Sequence, residues 1–208
     1  MNNAVLKFFR DNYVTGRICL VGANDAVGTL IRDGQTGITP DGKPSKWSHT
    51  FIMGDVRDDG INDGSIYIFE SDLHVSPEEL QVINGPQESR LTKWCNDSIE
   101  HACVLGLNLT PDEQRTVLRT GLALAVDTTL KYPVLELVGT LWAIITHKMS
   151  KPNVFDDKSA VQCATFVRKC YESAGKDPLR GLATDLTNTS PEKLFQSAAF
   201  SFRQEWHT

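Results

Sequence analysis

Two residues of this chain carry reactive side chains in settings that suit catalysis. His49 lies in Lys46-Trp47-Ser48-His49-Thr50-Phe51-Ile52, a β-rich run that predicts a strand. Cys163 lies in Ser159-Ala160-Val161-Gln162-Cys163-Ala164-Thr165-Phe166-Val167, which predicts the opening turn of a helix, with Ser159 as a candidate cap. A thiol at a helix N-terminus gains from the helix dipole, and a neighbouring imidazolium adds to that stabilisation. Both favour the thiolate, which is the nucleophile. In this arrangement Cys163 attacks a carbonyl carbon and His49 moves the proton.

The third residue comes from pairing. Trp47 to Val56 reads as a strand, Arg57 to Gly64 as a hairpin turn rich in aspartate and glycine, and Ser65 to Ser71 as the partner strand. A turn centred near Asp59 and Gly60 sets His49 opposite Glu70, whose carboxylate would orient the imidazole. Asp72 is the alternative orienter. Cys163 shares a helical face with Phe166, Val167, Cys170 and Tyr171, so the same helix must also pack on the core. Cys170, deeper in the helix, reads as structural. His74, His101, His147 and His207 have no matching context and read as surface or packing residues.

Further elements must hold these side chains in place. Residues 3–11 predict an amphipathic helix, Gly16 to Val21 a strand, and Asp25 to Arg32 a helix capped by Asn24 or Asp25. The glycine- and proline-rich residues 33–45 predict a loop. Gly85 to Cys95 and Ala102 to Leu107 predict further strands. Thr110-Pro111-Asp112-Glu113 is a helix start that combines a capping hydroxyl, a first-turn proline and first-turn acids, and that helix is expected to reach about Thr129. Val134 to His147 predicts another helix, Met149 to Lys158 a loop, and the cysteine helix is expected to end at Gly175. Ser190 to Phe200 is a last helix candidate. With strands early and helices late, the expected fold class is α+β, a small antiparallel sheet packed against helices.

The 208 residues suit one domain, with about 85–150 as an elaboration shaping a substrate cleft. A net charge of −5 argues against a nucleic-acid or anionic-membrane binder. Five cysteines without CxxC spacing argue against a zinc ribbon or a disulfide framework, and point to folding in a reducing compartment. Gly22 to Gly28 lacks the dinucleotide-binding fingerprint, so no cofactor is expected there, and Cys95 and His101, six apart, make no recognisable metal site, so no metal is expected. Val117 to Ile145 is apolar but broken by Arg119, Asp127, Lys131, Pro133 and Glu136, so no transmembrane segment is expected.

The series Thr15 to Val21, Leu30-Ile31-Arg32, Trp47 to Ile52, Glu70 and Gln162 to Val167 resembles the circularly permuted branch of the NlpC-type, papain-like cysteine hydrolases. In that branch the histidine strand precedes the cysteine helix, as His49 precedes Cys163 here. The resemblance spans residues 15–175 as spaced short motifs. It implies a papain-like fold with Cys163 as nucleophile, His49 as base and Glu70 as the orienting residue. Arg17 departs from the acidic residue often found after the glycine of the first strand. The implied activity is cleavage of amide bonds in peptidoglycan stem peptides. The alternative is an acyl hydrolase or transferase acting on lipid or small-molecule amides and esters.

A cell-wall substrate lies outside the cytoplasm, yet residues 1–12 lack the apolar core and cleavage site of a signal peptide. An antibacterial effector reconciles the two expectations. It would be made in a bacterial cytoplasm and delivered into a target cell's periplasm by a type VI secretion system. Its partners would be that machinery and an immunity protein.

Overall fold

The computed structural model describes residues 1–58, 65–76, 81–127 and 162–208, with backbone alone for 73–76 and 81–84. Six strands form one sheet in the order β4-β3-β2-β1-β5-β6, and every neighbouring pair is antiparallel. They are β1 (Ile18–Ala23), β2 (His49–Arg57), β3 (Ser65–Ser76), β4 (Gln81–Arg90), β5 (Ile99–Gly106) and β6 (Phe202–His207). The helices are α1 (Asn3–Asp11), α2 (Ala26–Gly34), α3 (Pro111–Val126), α4 (Cys163–Ser173) and α5 (Pro191–Gln196). This is the expected α+β class, with a larger sheet than expected.

β1 lies at the centre and is buried at every position. Its alternating side chains feed two separate cores. Ile18 and Leu20 join Ile52, Phe69, Cys103 and Leu105 against Val117 of α3 and Phe166, Val167, Cys170 and Tyr171 of α4. Cys19 and Val21 join Phe51, Met53, Ile66, Ile68 and Val104 against Val5, Leu6 and Phe9 of α1. The sheet is therefore covered on both faces, which explains why β1 reads as a continuous apolar run. Each large side chain buried this way contributes about 1.5–3 kcal/mol of hydrophobic stabilisation.

Local signals set the helix starts. Asn2 accepts hydrogen bonds from the Ala4 and Val5 amides, and Asp25 accepts one from Gly28. Thr110 and Glu113 form a reciprocal capping box with Pro111 at the first turn, and Ser190 accepts from Lys193. The helix ends differ from expectation. The third helix stops at Val126, the fourth at Ser173 and the fifth at Gln196. Gly175, at φ +71°, turns the chain after α4.

Three further differences bear on the site. The segment Gly85 to Cys95 is not a single strand: β4 ends at Arg90, and Leu91–Trp94 is a 3-10 turn. The cap of the cysteine helix is Gln162, which leaves Cys163 as its first helical residue; Ser159 lies outside the described residues. β6, whose residues are mostly exposed, was not expected from the sequence and closes the far edge of the sheet. The Val134 to His147 helix, the Met149 to Lys158 loop and much of the Arg57 to Gly64 turn also lie outside the described residues. Among the described residues, no helix is long and apolar enough to cross a membrane.

Gly22 sits where the strand passes under the segment leading into β2. A Cβ there would lie 1.9 Å from the Lys46 carbonyl oxygen, closer than any real contact. Next to it, the Ser48 amide donates to Val21 O at 2.8 Å and the Ala23 amide donates to Ser48 Oγ at 3.0 Å. These contacts place His49 at the first position of β2. Gly22→Ala is expected to push Lys46 to Ser48 off β1 and to cost about 1–3 kcal/mol. Urea unfolding of the variant against the wild type measures this loss.

Candidate active site

His49 opens β2 and is 5% exposed. Its Nε2 lies 2.9 Å from Glu70 Oε2, and Cys163 is close enough to act on the ring electrostatically. Because Nε2 is committed to the carboxylate, Nδ1 is the nitrogen left for the thiol. Cys163, also 5% exposed, stands at the first helical position of α4. The amides of that first turn have no partner within the helix, so they point outward beside the sulfur. The three expected residues thus come together: a thiol at a helix start, an imidazole and a buried carboxylate.

They do so through a different register. Ile52 pairs with Phe69 and Met53 with Ile68. Carried along the strands, that pairing sets Phe51 beside Glu70 and His49 beside Asp72. His49 and Glu70 are therefore diagonal neighbours rather than direct ones. Diagonal pairs on one face remain within reach of long side chains, and a carboxylate two methylenes out spans the gap. Asp72, the alternative orienter, is turned to Lys93 instead: Nζ donates to Asp72 Oδ2 at 2.8 Å.

Glu70 is fully buried and satisfied by three donors. His49 and the Trp94 indole N–H share Oε2, the latter at 2.8 Å, and Lys93 Nζ donates to Oε1 at 2.7 Å. The Trp94 indole also stacks on the His49 ring, with centroids 4.4 Å apart and planes inclined by 22°. Lys93 and Trp94 were not singled out from the sequence. The only signal for them was their place in a segment whose strand character fails at the end of β4.

The charges follow from these contacts. Burial alone would push the His49 imidazole down. The nearby Cys163, the Glu70 hydrogen bond and the Asp72 charge outweigh it and raise the pKa to about 10. Burial likewise pushes Glu70 up, but the bonds and charges of His49 and Lys93 bring it down to about 2. Lys93 is raised overall, as Glu70 and Asp72 overcome its desolvation. By contrast, burial pushes the thiols of Cys19 and Cys170 up, along with those of Cys95 and Cys103, which rise to about 12. Nearby cations such as Arg17, Arg10, Arg203 and Lys169 offset burial only in part for these four, and they are structural.

His101 and His207 are placed apart from this cluster, and His147 lies outside the described residues. His101 is on β5, edge-on to Trp47, and His207 is exposed near the end of β6. Among the described residues, no group of three or more His, Cys, Asp or Glu side chains is placed to hold a metal ion.

The molecule is thus an α+β protein whose six-stranded antiparallel sheet brings a histidine and a buried glutamate to the N-terminus of a cysteine-bearing helix. Among solved structures it is similar to the metalloprotein yiiX from Escherichia coli O157:H7, with a TM-score of 0.55 and 15% identity over 90% of this chain and 94% of that one. At that identity the likeness concerns the fold. No family model matches the chain, and no curated protein matches it.

The pKa directions have signs that can be checked. Glu70, lowered from 4.5 to about 2, contributes stability that is complete above about pH 4.5 and is lost as pH falls through about 2. Glu70→Gln is expected to lack that part of the acid dependence in denaturant melts between pH 2 and 5. The His49 ring is expected to remain an imidazolium up to about pH 10 in the wild type. In Cys163→Ala the raising influence of Cys163 vanishes while burial stays, so the ring should titrate at lower pH. Ring-nitrogen NMR of the two proteins reads this directly.

Proposed function

We propose that this protein is a cysteine hydrolase that cleaves amide bonds by acyl transfer through Cys163, and that it is a permuted NlpC-type, papain-like enzyme. One observation carries the reading. Cys163 at the start of α4 acts on His49 as its electrostatic partner, and the Nε2 of that ring is held by the buried Glu70. The order of the chain, histidine strand before cysteine helix, supports the permuted branch.

The steps follow from the geometry. The Cys163 sulfur attacks the substrate carbonyl carbon, and negative charge moves to the oxygen. Backbone amides of the first turn of α4, that of Cys163 among them, face this oxyanion. The His49 imidazolium gives its proton to the leaving nitrogen as the C–N bond breaks, which leaves a thioester on Cys163. Water then attacks the thioester while the neutral imidazole takes its proton, and the C–S bond breaks to release the acid and restore the sulfur. Glu70 keeps the ring in the tautomer that these transfers need.

The substrate that the family resemblance implies is the stem peptide of peptidoglycan. Mass spectrometry of purified peptidoglycan fragments tests it. The wild type is expected to release a new stem-peptide product that Cys163→Ala does not make. His49→Ala should slow turnover by about 10²–10⁴-fold, the usual contribution of a positioned acid–base group. No product from several peptidoglycan chemistries, with Cys163 still selectively alkylated by iodoacetamide, would move the substrate to acyl groups on lipids or small molecules. Absence of selective alkylation would overturn the cysteine-hydrolase reading.

A further inference from the structure

His49 and Glu70 are supported by two consecutive residues of the 3-10 turn after β4. Trp94 donates its indole N–H to Glu70 Oε2 at 2.8 Å, and the same indole stacks on the His49 ring at 4.4 Å between centroids. Lys93 bridges Glu70 Oε1 at 2.7 Å and Asp72 Oδ2 at 2.8 Å. We propose that Lys93 and Trp94 are the positioning residues of this site. Trp94 locks the His49 ring with Nδ1 toward Cys163, and Lys93 fixes the aim of the Glu70 carboxylate. This rests on the cysteine-hydrolase reading above.

The argument begins with what an imidazole can do when it is not held. A half-turn about its Cβ–Cγ bond exchanges Nδ1 with Cδ2 and Nε2 with Cε1. Glu70 would then face a C–H, Cys163 would face another, and the hydrogen bond to Glu70 would be lost. The half-turn carries the ring through an edge-on orientation, and the indole plane occupies that space on one side. The Glu70 bond adds a second restraint, but only while the carboxylate keeps its aim. Oε2 already accepts from two donors, so a rotation of the carboxylate would break both at once, together with the Lys93 contact on Oε1.

Lys93 also answers the electrostatics of this corner. Glu70 and Asp72 bring two carboxylates beside one imidazole, and a cation between them offsets their repulsion. Lys93 is only 19% exposed on its side chain, so solvent screens this contact little. Trp94 further excludes water from the His49–Glu70 hydrogen bond, which strengthens it. Phe51 lies beside the stacked pair, 6.4 Å from the indole and 6.5 Å from the His49 ring, and flanks both from the core.

Alkylation of Cys163 by iodoacetamide tests this without any substrate. Peptide mass spectrometry assigns the adduct among the five cysteines, and rates are taken from pH 5 to 10. The wild type should show faster alkylation of Cys163 at neutral pH than of the other four cysteines, whose thiols burial pushes up. Trp94→Leu, which removes both stack and donor, should lower the rate at neutral pH by about tenfold or more. Its rate should also follow pH differently from that of the wild type, because the His49 ring no longer stays aimed at the sulfur. Trp94→Phe keeps the stack, and Lys93→Met keeps the length without the charge; both should fall between these limits. Trp94→Phe also serves if the leucine variant does not fold, as judged by circular dichroism and Tm. Folded variants with the wild-type rate and profile would overturn the positioning role alone. A wild type whose Cys163 reacts no faster than the other four cysteines would overturn both this role and the hydrolase reading.

Discussion

A carboxylate that is wholly cut off from water constrains this molecule more than any other single group. Glu70 is 0% exposed, and an ionised carboxyl taken out of water costs several kcal/mol unless other charges and donors replace its hydration. Here the replacement is complete: an imidazole, an indole N–H and an ammonium. The imidazole comes from β2 and the other two donors from the 3-10 turn after β4, so strand pairing, the end of β4 and that turn must all be correct together. Loss of any one donor leaves a buried charge short of a partner.

The other half of the site is governed by packing. α4 must bury Phe166, Val167, Cys170 and Tyr171 against the sheet, and the Tyr171 hydroxyl donates to Gly16 O just before β1. Thr120 and Ser173 join α3 to the far end of the same helix at 2.8 Å. With its body fixed this way, α4 can bring its first residue to the rim of the sheet where β2 begins. Cys163 therefore belongs to the core cluster and to the reactive cluster at once. Its partner His49 is held from the opposite side by Gly22, Lys46 and Ser48 at the entry to β2. Core and site share the same few contacts, which leaves little room for either to shift alone.

The expected and observed pairings of β2 and β3 show how a site can survive an error in register. A turn at Asp59 and Gly60 set His49 against Glu70, whereas the observed ladder, anchored by Ile52 with Phe69, is offset by two residues. An offset of one would have put Glu70 on the other face of the sheet. An offset of two keeps the face and only makes the pair diagonal. The alternation of apolar and polar residues in Ser65 to Ser71 determines the face, while the turn and the irregularity between Met53 and Val56 together determine the register. The first is written along the strand itself. The second depends on how the two strands close, which local composition constrains weakly.

What the sequence alone determined is local in origin. Helix starts at Asp25, Thr110 and Ser190 were legible because a capping side chain satisfies amides a few residues away. The identities of Cys163, His49 and Glu70 were legible because each sits on an element whose type could be read from its neighbours. Lys93 and Trp94 were not, since nothing in Leu91 to Cys95 says that the chain leaves β4 for a 3-10 turn lying over His49. The edge strand β6 was equally hidden, because it pairs with β5 from far along the chain and buries little of its own surface. Tertiary structure alone decided which carboxylate receives the imidazole: Asp72 is nearest in register but pairs with Lys93, and Glu70 is diagonal but takes His49. That choice rests on donors brought in from outside both strands, so no pattern within either strand could contain it.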